Sequence, residues 1–273
     1  MRPIRTVAVF PTMFTLGNLV CGFFAIVVAS RVDAPTQEWP SGLPMDPTNC
    51  MYSAWLIFLA MVFDALDGYV ARLSRTASDF GAQLDSLCDL MSFGAAPGFL
   101  LVKMCPQFAY LHRHAVWVIA ASFAACAALR LARFNVETSD DDEHLHFSGL
   151  PSPAAAAAIA GFAIMFFTLR KEDNPFLYKD AIDSALQTIL PFFAVLVAVL
   201  MVSRVPYPHV VNQVFRGERS FGHVVAIIFS IVAIMVVRSY SVPIIFAAFV
   251  FYGPIRLAWE KIIEHRKREE PLF

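Results

Sequence analysis

Four aspartates lie close together in a chain that is otherwise strongly apolar, and their spacing has the clearest chemical meaning in the sequence. Asp64 and Asp67 are three residues apart, and Asp85 and Asp89 are four residues apart. Either spacing places both side chains on one face of a helix, so we predict two helices that face each other across a short basic turn at 72–75. Carboxylates repel one another where the dielectric is low, and hard divalent cations such as Mg²⁺ or Mn²⁺ relieve that repulsion through oxygen ligands. The spacing therefore predicts a divalent metal site.

The residues between the aspartates fit the binding of a phosphorylated ligand. Gly68 and Gly81 have no side chain to obstruct an approaching ligand, and the guanidinium fork of Arg72 matches phosphate oxygens. With gaps, the segment reads D-x2-D-G-x2-A-R-x8-G-x3-D-x3-D. This string resembles the signature of the CDP-alcohol phosphatidyltransferases, which are integral membrane enzymes of phospholipid synthesis. All eight fixed positions of that signature are matched, by Asp64, Asp67, Gly68, Ala71, Arg72, Gly81, Asp85 and Asp89.

The resemblance implies an activity, a metal requirement and roles for individual residues. Such enzymes transfer a phosphatidyl group from CDP-diacylglycerol to an alcohol and release CMP, with two divalent cations, Mg²⁺ or Mn²⁺, as cofactors. The resemblance implies that Asp64, Asp67 and Asp85 are the main metal ligands. It implies that Asp89, also within reach of a metal, is the general base, and that the chain forms a homodimer. The residues expected to bind CDP-diacylglycerol are Asn18, Gly68, Ala71, Arg72, Ser78 and Gly81.

Four further strings concern the acceptor alcohol. TLGNLVCGFFAI, RLARFN, FSGLPSP and LMVSRVPYP resemble stretches of the branch of the family that uses L-serine, so we expect L-serine to be the acceptor. The carboxylate of serine needs a cationic partner, and the candidates stand at the ends of predicted helices: Arg130, Arg133 and Arg204, with the polar Asn135 nearby. Glycerol 3-phosphate, inositol phosphate and choline remain alternative acceptors, because an acceptor that carries a phosphate would bind the same arginines.

The composition predicts an all-α membrane protein. Of the 273 residues, 58% are hydrophobic, and the mean hydropathy is +0.61, which is more apolar surface than a soluble domain of this length needs. A helix that spans the bilayer needs ~20 apolar residues. We predict a single membrane-embedded catalytic domain over 1–273, with a six-helix core in 1–204, two extra helices in 205–257 and a cytoplasmic tail in 258–273. The eight predicted spans, of which the third and the seventh are short, lie at about 8–30, 51–73, 88–105, 115–134, 152–169, 185–204, 221–237 and 239–257.

The distribution of basic residues predicts the orientation of the chain. With eight spans, one side of the membrane carries fourteen Lys and Arg residues and the other side carries seven. Basic residues are enriched in cytoplasmic loops, so we expect both termini and the aspartates in the cytoplasm, in a multi-pass protein of the inner membrane. On the opposite side a disulfide between Cys50 and Cys105 is an open alternative. The net charge of −1 excludes a broad nucleic-acid-binding surface as the main function.

Two other interpretations of the aspartates carry less weight. A hairpin held by internal salt bridges would set two arginines against four aspartates and would have no use for the glycines. A cation transporter would show an internal repeat and ionisable residues near the middle of several spans. The D-x2-D-G pattern occurs once, and the four aspartates fall in one hairpin, which favours the enzyme.

Overall fold

A computed structural model describes the chain over six stretches, and these stretches fold into helices joined by short connections. They are residues 9–31, 48–74, 79–137, 149–170, 177–207 and 240–269. The helices are α1 (Val9–Ser30), α2 (Thr48–Ser74), α3 (Asp79–Asp89), a π-helical segment (Leu90–Ala95), α4 (Ala96–Met104), α5 (Pro106–Leu111), α6 (Arg113–Glu137), α7 (Ser152–Leu169), α8 (Lys179–Val202) and α9 (Ser241–Glu269).

Within the described residues, seven helical stretches are long and apolar enough to cross a bilayer. They are Thr12–Ser30, Thr48–Val70, Phe80–Met104, His114–Val136, Ser152–Leu169, Lys179–Val202 and Ser241–Trp259. Each of the seven overlaps a span predicted from the sequence, and the eighth prediction, at 221–237, lies outside the described residues. The prediction of an all-α, multi-pass membrane bundle is therefore confirmed.

The third span differs most from its prediction. It starts at Phe80 rather than at residue 88, because α3, the π-helical segment and α4 form one continuous helical rod. The prediction of a short third span was wrong, since the polar residues Gln83 and Asp85 lower the hydropathy of α3 without ending the helix. The predicted start of the basic turn, at residue 72, was also wrong. Helix α2 continues to Ser74, through residues that mostly have high helix propensity.

The centre of the bundle is α7, whose run of alanines is buried on nearly every side. A helix that is apolar all round belongs in a core, and small side chains let neighbouring backbones approach closely in a membrane. A Cβ atom added to Gly161 would lie 3.1 Å from Pro243 Cα of α9, so this glycine permits the contact between α7 and α9. Helix α2 packs on α7 as well, and both neighbours are thereby fixed relative to the core.

Helix α1 packs along α2 and along the rod formed by α3, the π-helical segment and α4. The closest approach is at Gly22, where an added Cβ atom would lie 2.7 Å from Ser92 Cα. The π-helical segment begins directly after Asp89, and such segments occur mostly as interruptions of α-helices, frequently near functional sites. The contact at Gly22 therefore holds α1 against the part of the rod that follows the motif.

Residues 203–207, which follow α8, contact the segment before α7 and also contact α9. Gly149 has a φ of +97°, and its N–H donates a hydrogen bond of 2.9 Å to Val205 O. Tyr207 donates from its hydroxyl group to Val250 O of α9 at 2.8 Å. Gly149 needs to be a glycine because an L side chain is strained at this φ. These bonds tie the start of α7 and the middle of α9 to the end of α8.

A second polar cluster lies at the opposite end of α7 and α8. Arg170 donates to both carboxylate oxygens of Asp183, at 2.8 and 3.2 Å, and Gln187 donates to Asp183 Oδ2 at 2.6 Å. Cys50 and Cys105 are both buried, and the disulfide left open by the sequence is not formed between them in this structure. Burial raises the pKa of the Cys105 thiol, which disfavours its reactive thiolate form.

Candidate active site

Three of the four motif aspartates come together between α2 and α3. Asp64, Asp85 and Asp89 each offer one carboxylate oxygen, and these three oxygens lie within 4.8 Å of one another. Asp89 is buried, and the other two are partly buried. We call these three residues the aspartate cluster. Negative groups held this close in a half-buried position repel one another, so a cation bound among them would stabilise the arrangement.

Asp67 lies one helical turn beyond Asp64 on α2 and outside the aspartate cluster. Its Oδ2 accepts a hydrogen bond from the hydroxyl group of Thr15 on α1. Its Oδ1 is buried and has no hydrogen-bond donor among the described residues. Asp67 remains close enough for its charge to act on Asp64 and Asp85. One oxygen of Asp67 is thus fixed by α1, and the other is left for a ligand.

Asn18 contacts Asp89. Its side-chain Nδ2 donates a hydrogen bond of 2.8 Å to Asp89 Oδ1, and the residue is fully buried. Its main-chain oxygen accepts a 2.9 Å hydrogen bond from Ser92 of the π-helical segment. The sequence predicts Asn18 among the residues that bind CDP-diacylglycerol, whereas in the structure its amide nitrogen is engaged by the aspartate expected to be the base.

The residues present fit a divalent cation. Carboxylate oxygens are the ligands that Mg²⁺ and Mn²⁺ prefer, and the aspartate cluster supplies three of them at close range. The buried Oδ1 of Asp67 is a further carboxylate oxygen without a donor among the described residues, which is costly unless a ligand satisfies it. Asp64, Asp67, Asp85 and Asp89 are therefore the residues that could hold metal, as the sequence predicts.

The structure describes some of the residues predicted to bind the nucleotide. Gly68 is exposed, and a Cβ atom added to it would have no neighbouring atom within 4 Å, so open space lies beside the backbone here. Gly81 is partly buried on the third residue of α3. Ala71 and Arg72 lie on α2, although their side chains are outside the described part, and Ser78 lies outside the described residues altogether. The roles of these residues stay predictions.

The arginines predicted to bind the acceptor have different surroundings. Arg130 donates to Ser152 Oγ at 2.7 Å, and its charge acts on Asp89. Arg133 donates from Nη1 to Val202 O at 3.0 Å, where it satisfies a carbonyl at the end of α8. Arg204 is exposed in the segment after α8. The charge of Arg130 thus acts on a member of the aspartate cluster.

Asn135 joins α6 to α3 through hydrogen bonds. It donates to Ser86 Oγ at 3.0 Å and to Gln83 Oε1 at 3.4 Å, and it also accepts a bond of 3.1 Å from Ser86. These bonds hold the face of α3 next to Asp85 against the end of α6. The predicted role of Asn135 in binding the acceptor is untested, and the contacts described here are structural.

Sequence reasoning did not single out Ser86, Ser92 or Ser152 as partners of site residues. Each lies one to three residues from a motif position or inside a string that resembles the family, which is the only signal that marks it. A serine inside an apolar span is also common at helix contacts. The partner of each serine lies far away in sequence, so spacing alone could not identify it.

Comparison with known proteins identifies the class to which this fold and site belong. The sequence profile of the CDP-alcohol phosphatidyltransferase family matches residues 8–202. The matched region contains the motif and six of the seven spans in the described residues, from α1 to the end of α8. The chain belongs to the CDP-alcohol phosphatidyltransferase family, as its motif predicts.

Three individual proteins of known name are similar to this chain. The chain is 39% identical over 215 residues to a protein of Methanocaldococcus jannaschii named CDP-diacylglycerol--serine O-phosphatidyltransferase, covering 79% of this chain and 81% of the relative. It is 30% identical over 207 residues to a protein of the same name from Helicobacter pylori, covering 76% and 75%. It is also 35% identical over 157 residues to an archaetidylserine synthase of Methanothermobacter thermautotrophicus, covering 57% of each chain.

Proposed function

We propose that this protein transfers the phosphatidyl group of CDP-diacylglycerol to the hydroxyl group of L-serine, giving phosphatidylserine and CMP. The observation that carries the proposal is the aspartate cluster, which gathers Asp64, Asp85 and Asp89 in a chain whose family uses this motif. Relatives from an archaeon and a bacterium carry the name of this serine-dependent activity, at 39% and 30% identity respectively, which supports serine as the acceptor.

Two divalent cations, Mg²⁺ or Mn²⁺, are the proposed cofactors. Asp64, Asp67, Asp85 and Asp89 would hold them, through the aspartate cluster and the buried Oδ1 of Asp67. When bound, the cations would neutralise the pyrophosphate of the substrate and stabilise the charge on the departing CMP.

Asp89 is the proposed general base. The hydroxyl oxygen of serine forms a bond to the phosphorus of the phosphatidyl group, the bond from that phosphorus to the CMP oxygen breaks, and the hydroxyl proton passes to Asp89. A carboxylate that accepts this proton must be ionised beforehand. Burial and the charges of Asp64 and Asp85 oppose ionisation of Asp89, whereas the amide N–H donated by Asn18 favours it, as a cation bound in the aspartate cluster would. The charge of Arg130 acts on the same carboxylate.

Arg130 is the proposed partner of the serine carboxylate. Its guanidinium group carries five N–H donors in a planar fork, and the bond to Ser152 engages one of them. The remaining donors are suited to a carboxylate held beside Asp89. Arg133, Asn135 and Arg204 complete the acceptor residues proposed from the sequence. Arg133 also donates a hydrogen bond to Val202 O at the end of α8.

The nucleotide and its phosphates are proposed to lie along α2 and the start of α3. The open space beside Gly68 supports this location, since a substrate could approach the backbone there. Ala71, Arg72, Ser78 and Gly81 are the other residues proposed from the motif segment, with Arg72 offering a bidentate fork to phosphate oxygens.

We further propose that both termini and the active site face the cytoplasm, that the protein resides in the inner membrane, and that it works as a homodimer. The excess of basic residues on the side of the aspartates supports the orientation. The division into a core of residues 1–204, extra helices in 205–257 and a tail in 258–273 agrees with a family match that ends at residue 202.

The test is to incubate the purified protein with CDP-diacylglycerol, metal and one labelled alcohol at a time. We expect release of CMP and formation of labelled phospholipid with L-serine, and little product with glycerol 3-phosphate, inositol phosphate or choline. Product with one of those three alcohols instead would keep the family chemistry and overturn the acceptor. Absence of CMP release with all four would overturn the proposed function.

A further inference from the structure

We infer that Asn18 is a positioning residue for Asp89: its side-chain amide fixes the orientation of the carboxylate that takes the proton from the acceptor. The inference deepens the proposed function and rests on it, because it assigns a role within the same site. It also replaces the role expected from the sequence, in which Asn18 binds CDP-diacylglycerol.

The geometry of the amide gives the first argument. Nδ2 of Asn18 lies 2.8 Å from Asp89 Oδ1, which is the distance of a good hydrogen bond to a carboxylate. An ionised carboxylate can only accept, so the amide nitrogen is the atom that must face it. With Oδ1 engaged in this way, the Asp89 carboxylate is not free to rotate about its last torsion angle.

The second argument is that Asn18 is itself held firmly against the rod. The main-chain oxygen of Asn18 accepts a hydrogen bond of 2.9 Å from Ser92, three residues beyond Asp89 on the same rod. Gly22, one turn further along α1, lets Ser92 approach because a Cβ there would lie 2.7 Å from Ser92 Cα. Asn18 is therefore bonded to the rod through both its side chain and its main chain, and a support of this kind holds a catalytic carboxylate within a narrow range of positions.

The third argument is the free-energy cost of burying the Asn18 side chain. Asn18 is fully buried in an apolar helix, and its Oδ1 has no hydrogen-bond donor among the described residues. A buried acceptor without a donor costs roughly 1–3 kcal/mol, whereas a leucine of similar shape would leave no such atom. Polar residues in membrane spans that are costly in this way are by default functional. The donated bond to Asp89 is the described interaction that accounts for an asparagine here.

Thr15 offers a contrast one turn earlier on α1. Its hydroxyl group donates to Asp67, which lies outside the aspartate cluster and keeps one buried oxygen for a ligand. The two residues of α1 thus hold two different carboxylates. Loss of the Thr15 bond is expected to weaken metal-dependent substrate binding, whereas loss of the Asn18 bond is expected to slow turnover.

The experiment compares Asn18→Leu with Gln187→Met. Gln187 is a matched control because it is also buried and also donates from a side-chain amide to a carboxylate, that of Asp183 at 2.6 Å, at the opposite end of the bundle. For each variant we would measure kcat for CMP release with serine, metal-dependent binding of CDP-diacylglycerol without serine, and the unfolding temperature. If Asn18→Leu fails to fold, Asn18→Ala is the second variant, since alanine adds no atoms to the packed interface.

For Asn18→Leu we expect kcat to fall about 10²-fold while the affinity for CDP-diacylglycerol stays within about threefold, since a misplaced group affects the reacting state more than the ground state. The control should keep its kcat. A near-normal kcat for Asn18→Leu, a loss of CDP-diacylglycerol binding as large as the loss of kcat, or an unfolding temperature well below that of the control would each overturn the inference. A wild-type protein that releases no CMP would instead overturn the proposed function, and the two failures are thereby distinguished.

Discussion

Arg130 and Ser152 are joined by a hydrogen bond of 2.7 Å that runs from α6 to the first residue of α7. The bond holds a partly buried arginine in place while its charge acts on Asp89. Arg133, one turn further along α6, donates instead to Val202 O at the end of α8. Two arginines on one helix face thus have different partners, and their substitutions should have different effects.

We expect Arg130→Lys to raise the KM for serine by about tenfold or more, because a charge-assisted bond to a carboxylate is worth ~1.5–3 kcal/mol and an ammonium group cannot form the bidentate pair. Arg133→Lys should change the KM for serine less and lower the unfolding temperature more. Serine titrations at saturating CDP-diacylglycerol, with thermal unfolding in the same detergent, provide the comparison. Equal effects at the two positions would contradict the assignment of Arg130 to the acceptor.

Removal of divalent cations should abolish turnover. The aspartate cluster brings three carboxylate oxygens within 4.8 Å, and without a cation these groups repel one another. We expect excess chelator to stop CMP release and added Mg²⁺ or Mn²⁺ to restore it. Full turnover in the presence of chelator would contradict a metal-dependent mechanism, and restoration by monovalent salt alone would do the same.

Asp89→Asn and Asp64→Asn should fail in different ways. Asparagine at position 89 keeps the shape and one oxygen but cannot take a proton, so turnover should fall by about 10²–10⁴-fold while CDP-diacylglycerol still binds in the presence of metal. At position 64 the substitution removes a ligand charge, so binding itself should weaken. CMP release and metal-dependent binding are measured for both variants. Loss of binding in Asp89→Asn as severe as in Asp64→Asn would make Asp89 mainly a metal ligand.

Gly22→Ala and Gly68→Ala are expected to have opposite effects on stability, because Gly22 is closely packed and Gly68 borders open space. A Cβ at Gly22 would lie 2.7 Å from Ser92 Cα, so alanine there must push α1 away from the rod, and we expect a lower unfolding temperature together with lower turnover. A Cβ at Gly68 meets no atom within 4 Å, so Gly68→Ala should unfold at the wild-type temperature or slightly above it, since alanine favours helix. If the substrate occupies the space beside Gly68, this variant should still raise the KM for CDP-diacylglycerol. An unchanged KM would remove Gly68 from the substrate site.

Tyr207 provides a prediction about pH. Burial raises the pKa of Tyr207 to about 12, whereas an exposed tyrosine has a pKa of about 10. Because the folded state has the higher pKa, the neutral hydroxyl group and its bond to Val250 O stabilise the fold fully below about pH 10, and this contribution is lost as the pH rises through about 12. Wild type should therefore unfold at a higher temperature than Tyr207→Phe at neutral pH, and the difference should disappear over this range. A difference that stays constant up to pH 12 would contradict the prediction.

The sequence alone predicts the helices and the pairing within the motif. The span at Ser152–Leu169 has the predicted bounds, because an uninterrupted apolar run has only one interpretation in a membrane. Asp85 and Asp89 share a helix face as their spacing of four requires, and Asp64 meets them across the hairpin. The boundary of the third span was missed, since the polar face that α3 turns toward the site lowers its hydropathy.

The partners of the motif residues could not be predicted. Asn18 bonds Asp89, and Arg130 bonds Ser152, through contacts between different helices that no spacing rule describes. Nothing in the spacing of the motif separates Asp67 from the other three aspartates. That separation depends on Thr15, whose position opposite Asp67 follows from how α1 and α2 pack.

The contacts of α1 have a consequence for how the protein is made. Asp67 follows Thr15 by 52 residues and Asp89 follows Asn18 by 71 residues, so α1 is synthesised before either partner. Two polar side chains make a newly inserted helix less soluble in lipid, and the bonds of α1 to Asp67 and Asp89 can form only after α2 and α3 have been synthesised. Replacing both residues by apolar ones should speed the release of α1 into the bilayer and yield a well-inserted but inactive protein. Insertion and catalysis therefore place opposite demands on the same helix.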